Sequence, residues 1–208
     1  MHMKDRTKAM FAEELEAMLS EMPLSKVRVS QLCKRCGATT PTFYYYFHDK
    51  YELVAWVFLR DYSQAIGNGA REYTPELIGE VNDRFEARKR FYQRCFEDQG
   101  QNNIDDYCAE FNLRMAEDAY AHLHGRAMSA EQTNAVRYHN FGVMGMFRDW
   151  LFDKGGMTSA EMSAFLYKRT PDFLKDAFSA YPYSIDATLA QTGKETTRAR
   201  SAGVDPQT

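Results

Sequence analysis

Between Thr40 and Lys50 the chain gathers hydroxyls, phenol rings, an imidazole and a cation: Thr40, Pro41, Thr42, Tyr44, Tyr45, His48 and Lys50. Their chemistry is non-covalent, because hydroxyls meet base edges and cations meet phosphates. Phe43 and Phe47 stand four apart and point inward, leaving Thr40, Thr42, Tyr44 and Tyr45 to face out. Three adjacent tyrosines cannot all be buried on one helix. A short helix exposing hydroxyls and rings, braced by a cationic partner helix, suits a DNA major groove.

Other chemistries are poorly served. Cys33-x-x-Cys36 is half of a zinc site at most, since four ligands are needed and no second pair lies at finger spacing. His122-x-His124 has poor spacing for two ligands on one helical face. No metal and no cofactor are therefore expected. Nor is there a Ser-His-Asp setting, a phosphate-cradling glycine loop, a pair of carboxylates at a marked motif or a His-Glu metal signature, so an enzyme is not expected.

The reading residues need a scaffold. Val29, Leu32, Cys33 and Cys36 recur at three- and four-residue steps, the buried face of one short helix. Gly37 ends it, Thr39 or Thr40 can cap the next helix, and Pro41 fits its first turn. A helix from about Lys4 to Ser20 would pack over the unit through Met10, Phe11, Leu15, Met18 and Leu19. Its leading cations Lys4, Arg6 and Lys8 face the unfavourable end of a helix dipole, so solvent or phosphate must satisfy them.

The run Val29-x-x-Leu32-Cys33-x-x-Cys36-Gly37 followed by Thr42-Phe43-Tyr44-x-Tyr46-Phe47-x-Asp49-Lys50-x-x-Leu53 closely resembles the DNA-binding segment of the TetR family of bacterial regulators. The resemblance implies that Thr40, Pro41, Thr42 and Tyr45 face bases, while Tyr44, His48 and Lys50 grip phosphates. Arg28 stands where the family usually has a capping Thr. Either Ser30 takes the cap, or Arg28 gives up capping for a phosphate contact. Further on, FYQRCFEDQGQNNIDDYCAEF resembles, more loosely, the C-terminal domain of the subgroup typified by the dihydroxyacetone kinase operon regulator.

Composition agrees with a helical protein: 44% hydrophobic, 14% aromatic and only 6 prolines in 208 residues. Neither an 18-residue apolar run nor a basic-then-apolar leader is present, and four scattered cysteines fit a reducing compartment, so a cytoplasmic location is expected. The net charge of -3 argues against a nucleic-acid binder until the chain is divided. Residues 1–50 hold eight Lys/Arg against six acids, and the remainder is acidic. Phosphate attraction is screened over roughly 8–10 Å, so the local balance decides. The excess is modest, and specific binding then calls for two copies of the module.

The expected architecture is all-α: a three-helix DNA-binding domain over 1–50, a helical sensing and dimerisation domain over 51–183, and a disordered tail over 184–208. A long helix from Lys50 to about Ala70 would join the first two as a lever. Helices are then expected over 83–99, from Ile104 through Met115, over 129–153, and from Thr158 or Ser159 to Ala180. Gly142 and Gly145, three apart, would let another helix approach closely.

Resemblance to the family also implies a ligand cavity and a dimer built from the last two major helices. Candidate cavity residues are Phe91, Tyr92, Cys95, Tyr107, Phe111, Met115, Tyr138, His139, Phe141 and Met144. Candidate interface residues are Gly142, Gly145, Phe147, Trp150, Phe165 and Phe173. The expectation is a homodimeric regulator, a repressor of a palindromic operator, released by a small-molecule effector. The alternative is a DNA-binding regulator, activator included, switched by a protein partner; a collapsed cavity would favour it.

Overall fold

The computed structural model describes residues 3–98 and 104–192, and among them the regular elements are helices. The first three, α1 (Met3–Glu21), α2 (Val29–Arg35) and α3 (Thr40–Tyr46), pack with the start of α4 (Lys50–Ile66). A single 3-10 turn, Leu24–Lys26, joins α1 to α2. Phe11, Leu15, Leu32, Phe43, Phe47 and Leu53 are wholly buried between them. The core continues along α4 through Trp56, Val57 and Phe58 into the second domain.

Local chemistry sets most boundaries. Gly37 takes φ +64, which a side chain would resist, and turns α2 into α3. Thr39 Oγ1 accepts the Thr42 N–H at 3.3 Å, and Pro41 sits in the first turn of α3. Asp49 accepts the Glu52 N–H at 2.8 Å, while Glu52 accepts the His48 N–H at 2.5 Å, a reciprocal clasp that starts α4. α4 stops at Ile66 rather than Ala70 because Gly67 adopts φ +80.

The body comprises α5 (Pro75–Glu86), α6 (Lys89–Phe96), α7 (Ile104–His124), α8 (Ala130–Leu151), α9 (Ser159–Arg169), α10 (Asp172–Ala180) and α11 (Ile185–Leu189). Capping boxes Ser129/Gln132 and Thr158/Glu161 open α8 and α9. α5 packs on α9, and α7 packs on α10.

Three expectations about this half are corrected. The helix expected over 83–99 is two helices, broken where Arg88 leaves helical geometry at φ -120, ψ 24; residues 99–103 lie outside the described region. The final helix is likewise two, because Pro171 supplies no N–H and holds Thr170 extended at ψ 128. The tail expected from 184 is ordered to 192. Tyr183 and Gly69 exchange backbone hydrogen bonds of 2.8 and 3.2 Å, Asn68 Oδ1 accepts the Ile185 N–H, and α11 lies along α4. Residues 193–208 lie outside the described region.

Candidate nucleic-acid interface and cavity

α3 is amphipathic by necessity. Phe43 and Phe47 meet Phe11 and Trp56 edge-on, at centroid distances of 5.3 and 6.3 Å, and fix which face looks out. On that outer face Tyr44 is 41% and Tyr45 60% exposed, with Pro41 and His48 exposed beside them. Thr42 shares a 2.8 Å hydroxyl hydrogen bond with Thr39 at the helix start. Tyr45 rests edge-on against Tyr46, which presents its ring without burying it.

Two residues expected on this surface have other occupations. Thr40 hydrogen-bonds the Cys33 thiol, so its hydroxyl faces the core. The Lys50 ammonium turns inward to the carbonyls of Leu24, Val27 and Ser25, at 2.7, 3.2 and 3.4 Å. Three acceptors match the three hydrogens of an ammonium. Lys50 thus ties α4 to the turn before α2, and burial pulls its pKa below the usual lysine value.

Arg28 occupies the N-cap position of α2 without capping it, and Ser30, already inside the helix, does not cap it either. Arg28 and Ser30 are both exposed. Sequence reasoning passed over Lys26 and Lys34, whose exposure puts further cations at this end of the molecule. Arg35 is not among them: Glu21 accepts two hydrogen bonds from it at 2.9 and 3.0 Å, and Glu14 pairs with it as well.

The cysteines are packing residues. Burial raises the Cys33 thiol and pushes Cys36 up to about 11, so both stay protonated near neutral pH. Cys95 and Cys108 are wholly enclosed and raised further. Among the described residues no group of three His, Cys, Asp or Glu side chains is placed to hold a metal ion.

A cavity of about 160 Å³ lies in the body, lined by α4, α5, α7, α8, α9 and α10. Of the candidates, Met115, His139 and Met144 line it. Tyr107 and Phe111 instead line a separate cleft of about 330 Å³ beside His48 and Glu52. Phe91, Tyr92 and Cys95 are core residues of α6, away from either wall. Tyr138 and Phe141 point outward, 84% and 76% exposed. Sequence reasoning missed Phe58, Tyr62 and Ile66 as walls, although their spacing on α4 is that of one helical face.

The interface candidates also divide. Gly142 and Gly145 lie on the outer face of α8 beside Tyr138 and Phe141, and a Cβ at either would meet nothing within 4 Å. Phe147 and Trp150 face inward; Phe147 packs on Phe85 at 5.3 Å and on Trp150 at 5.9 Å. They belong to the core, not to an interface. Phe165 and Phe173 are half-buried, and Phe173 sits against Tyr120.

One polar cluster joins the two halves. Arg88, at the joint between α5 and α6, pairs with Asp61 of α4 and with Glu16 of α1. Tyr92 donates to the same Asp61 carboxylate at 2.5 Å, and burial, then proximity to that carboxylate, raises the phenol well above its ordinary value. Asp61 is 2% exposed, so its end of the cluster sits in the interior, while the Glu16 end reaches the surface.

Residues 13–57 match the family described as bacterial regulatory proteins, tetR family. Among solved structures, the dihydroxyacetone kinase operon activator DhaS is similar in fold, with a TM-score of 0.53 and 15% identity over 85% of this chain and 98% of that one. No curated protein matches the sequence. No helix among the described residues is long and apolar enough to cross a membrane. The matched segment runs from the middle of α1 through α3 into α4, and so spans the helices that pack behind and present Tyr44 and Tyr45; over these residues the chain carries a DNA-binding segment similar to that of the TetR family of regulators.

Proposed function

We propose that the protein acts as a homodimer on a palindromic operator, repressing by occupying the DNA, and that a small molecule in the body cavity changes its grip. The observation carrying this reading is the outward face of α3, where Tyr44 and Tyr45 stand clear beside a half-buried Thr42, over a buried Phe43–Phe47 base. Thr42 and Tyr45, with Pro41, read bases, while Arg28, Tyr44, His48, Lys26 and Lys34 meet phosphates. Two such helices must lie about 34–36 Å apart to enter successive major grooves.

The second copy docks on α8. Tyr138 and Phe141 are large rings left in water beside two glycines, and about two consecutive turns of one face carry them. Glycine in a helix interior costs about 1 kcal/mol relative to Ala. Close approach of a partner helix offsets that cost.

Support for a small-molecule effector comes from the cavity remaining open and from α4 forming one of its walls. DhaS is named as an operon activator, and this favours a second reading in which the same DNA-binding dimer activates. Selection of bound duplexes from a random pool tests the first reading. A palindrome whose half-sites lie one helical turn apart is the expected product; a single asymmetric half-site would overturn it.

A further inference from the structure

Among the described residues no lysine, arginine, aspartate or glutamate lines the body cavity. Its titratable members are His139 and the phenols Tyr62, Tyr73 and Tyr183. Burial lowers the first and raises the other three, so all are uncharged near neutral pH. An ionised guest would leave water and meet no counter-charge.

Size narrows the choice. At about 160 Å³ the space is close to the ~150 Å³ apolar cavity that admits benzene, and below the ~300 Å³ at which drug-sized sites begin. Aromatic walls favour a flat ring: Phe58 and Phe85 stack at 4.7 Å, and Phe147 meets Phe85 edge-on. The polar walls include Asn82, Asn112 and Asn140. Asn112 uses its amide hydrogens on Asn140 Oδ1 at 2.9 Å and Met144 Sδ at 3.6 Å, and Asn140 in turn is held by the Ala109 carbonyl at 2.8 Å. Asn112 is left with an acceptor, its own Oδ1.

We propose that the cavity takes a small, neutral, single-ring aromatic molecule bearing one hydroxyl or N–H, which donates to Asn112 Oδ1. This rests on the cavity being the effector site for its biological meaning, but the binding itself is read without DNA.

The test uses the full chain and four probes: phenol, its methyl ether anisole, benzoate and benzylamine. Calorimetry should show saturable phenol binding, with anisole weaker by about ten-fold, the worth of one net hydrogen bond. Benzoate and benzylamine should give no heat. Asn112→Leu should erase the preference for phenol over anisole, and Val143→Trp should abolish both. Should either variant fail to fold, fluorine NMR of 4-fluorophenol on the unaltered chain gives the same answer, because phenol must displace it and benzoate must not. Charged probes binding as well as phenol, or no saturable phenol binding, overturns the proposal. If phenol binds to a protein that selects no duplex, the regulatory reading fails and this one stands. If a palindrome is selected without phenol binding, the reverse holds.

Discussion

The Arg88 guanidinium meets the Asp61 carboxylate in the interior, where α5 gives way to α6, and its other edge holds Glu16 of α1. One side chain therefore touches the helical body, the connecting helix and the DNA-binding domain. Removing one member of a buried ion pair costs about 3–5 kcal/mol because the survivor stays unpaired. Asp61→Ala should lower urea stability by about 3 kcal/mol, near the low end of that range, since Glu16 still serves Arg88. Glu16, 45% exposed, should matter little to stability, about 1 kcal/mol or less. Glu16→Gln should nonetheless reduce the effect of a bound guest on DNA affinity, measured by anisotropy with and without phenol.

Lys50→Met should act on folding before it acts on DNA. Its ammonium ties three carbonyls around the turn at Leu24–Val27, so the variant should lose about 1–3 kcal/mol in denaturant titrations. The salt dependence of DNA binding should keep its slope; a slope shallower by about one would restore a phosphate role for Lys50.

Tyr45→Phe and Thr42→Val should change which bases are preferred, at about 1–3 kcal/mol for a lost contact, while Lys34→Ala should weaken all sequences alike. Repeating the duplex selection on each variant reads the difference. An unaltered consensus from both α3 variants would rule out base reading by these side chains.

Gly142→Leu with Gly145→Leu separates folding from assembly. Nothing in the same chain lies within 4 Å of either position, and Leu is the better helix former by roughly 1 kcal/mol or less per site. The monomer should therefore melt no lower, while sedimentation shows the dimer dissociating. A double variant that remains dimeric would place the interface elsewhere.

His139 gives the fold an acid sensitivity. Burial holds its folded pKa below the ordinary 6.5, so the unfolded chain takes up the proton first. Stability then falls as pH drops below about 6.5, and the loss levels off beneath the folded pKa. His139→Gln should flatten the stability profile between about pH 5 and 6.5, above the range where carboxylates titrate.

The local rules were readable in the sequence. Gly37, Thr39 with Pro41, and Thr158 act over three or four residues, and each lies where its chemistry requires. What escaped was set by distant groups. Nothing near residue 88 announces a helix break, because Asp61 and Glu16, far away in the chain, draw Arg88 out of line. Lys50 has the spacing of a phosphate ligand, yet carbonyls some twenty-five residues earlier hold it. α8 is apolar on two faces, and periodicity cannot say whether Phe147 or Phe141 looks inward. Pro171 was a legible stop that the periodicity of its flanks obscured.

α4 has 17 residues and is therefore about 25 Å long, with the cavity walls Phe58, Tyr62 and Ile66 running from its middle to one end and the recognition module at the other. Swinging such a rod by roughly 5° shifts its tip by about 2 Å, and symmetry doubles that between the two halves of a dimer. A molecule no larger than a benzene ring could in this way spoil the pitch match with a duplex. The leverage comes from geometry, and it demands only that the rod stay stiff.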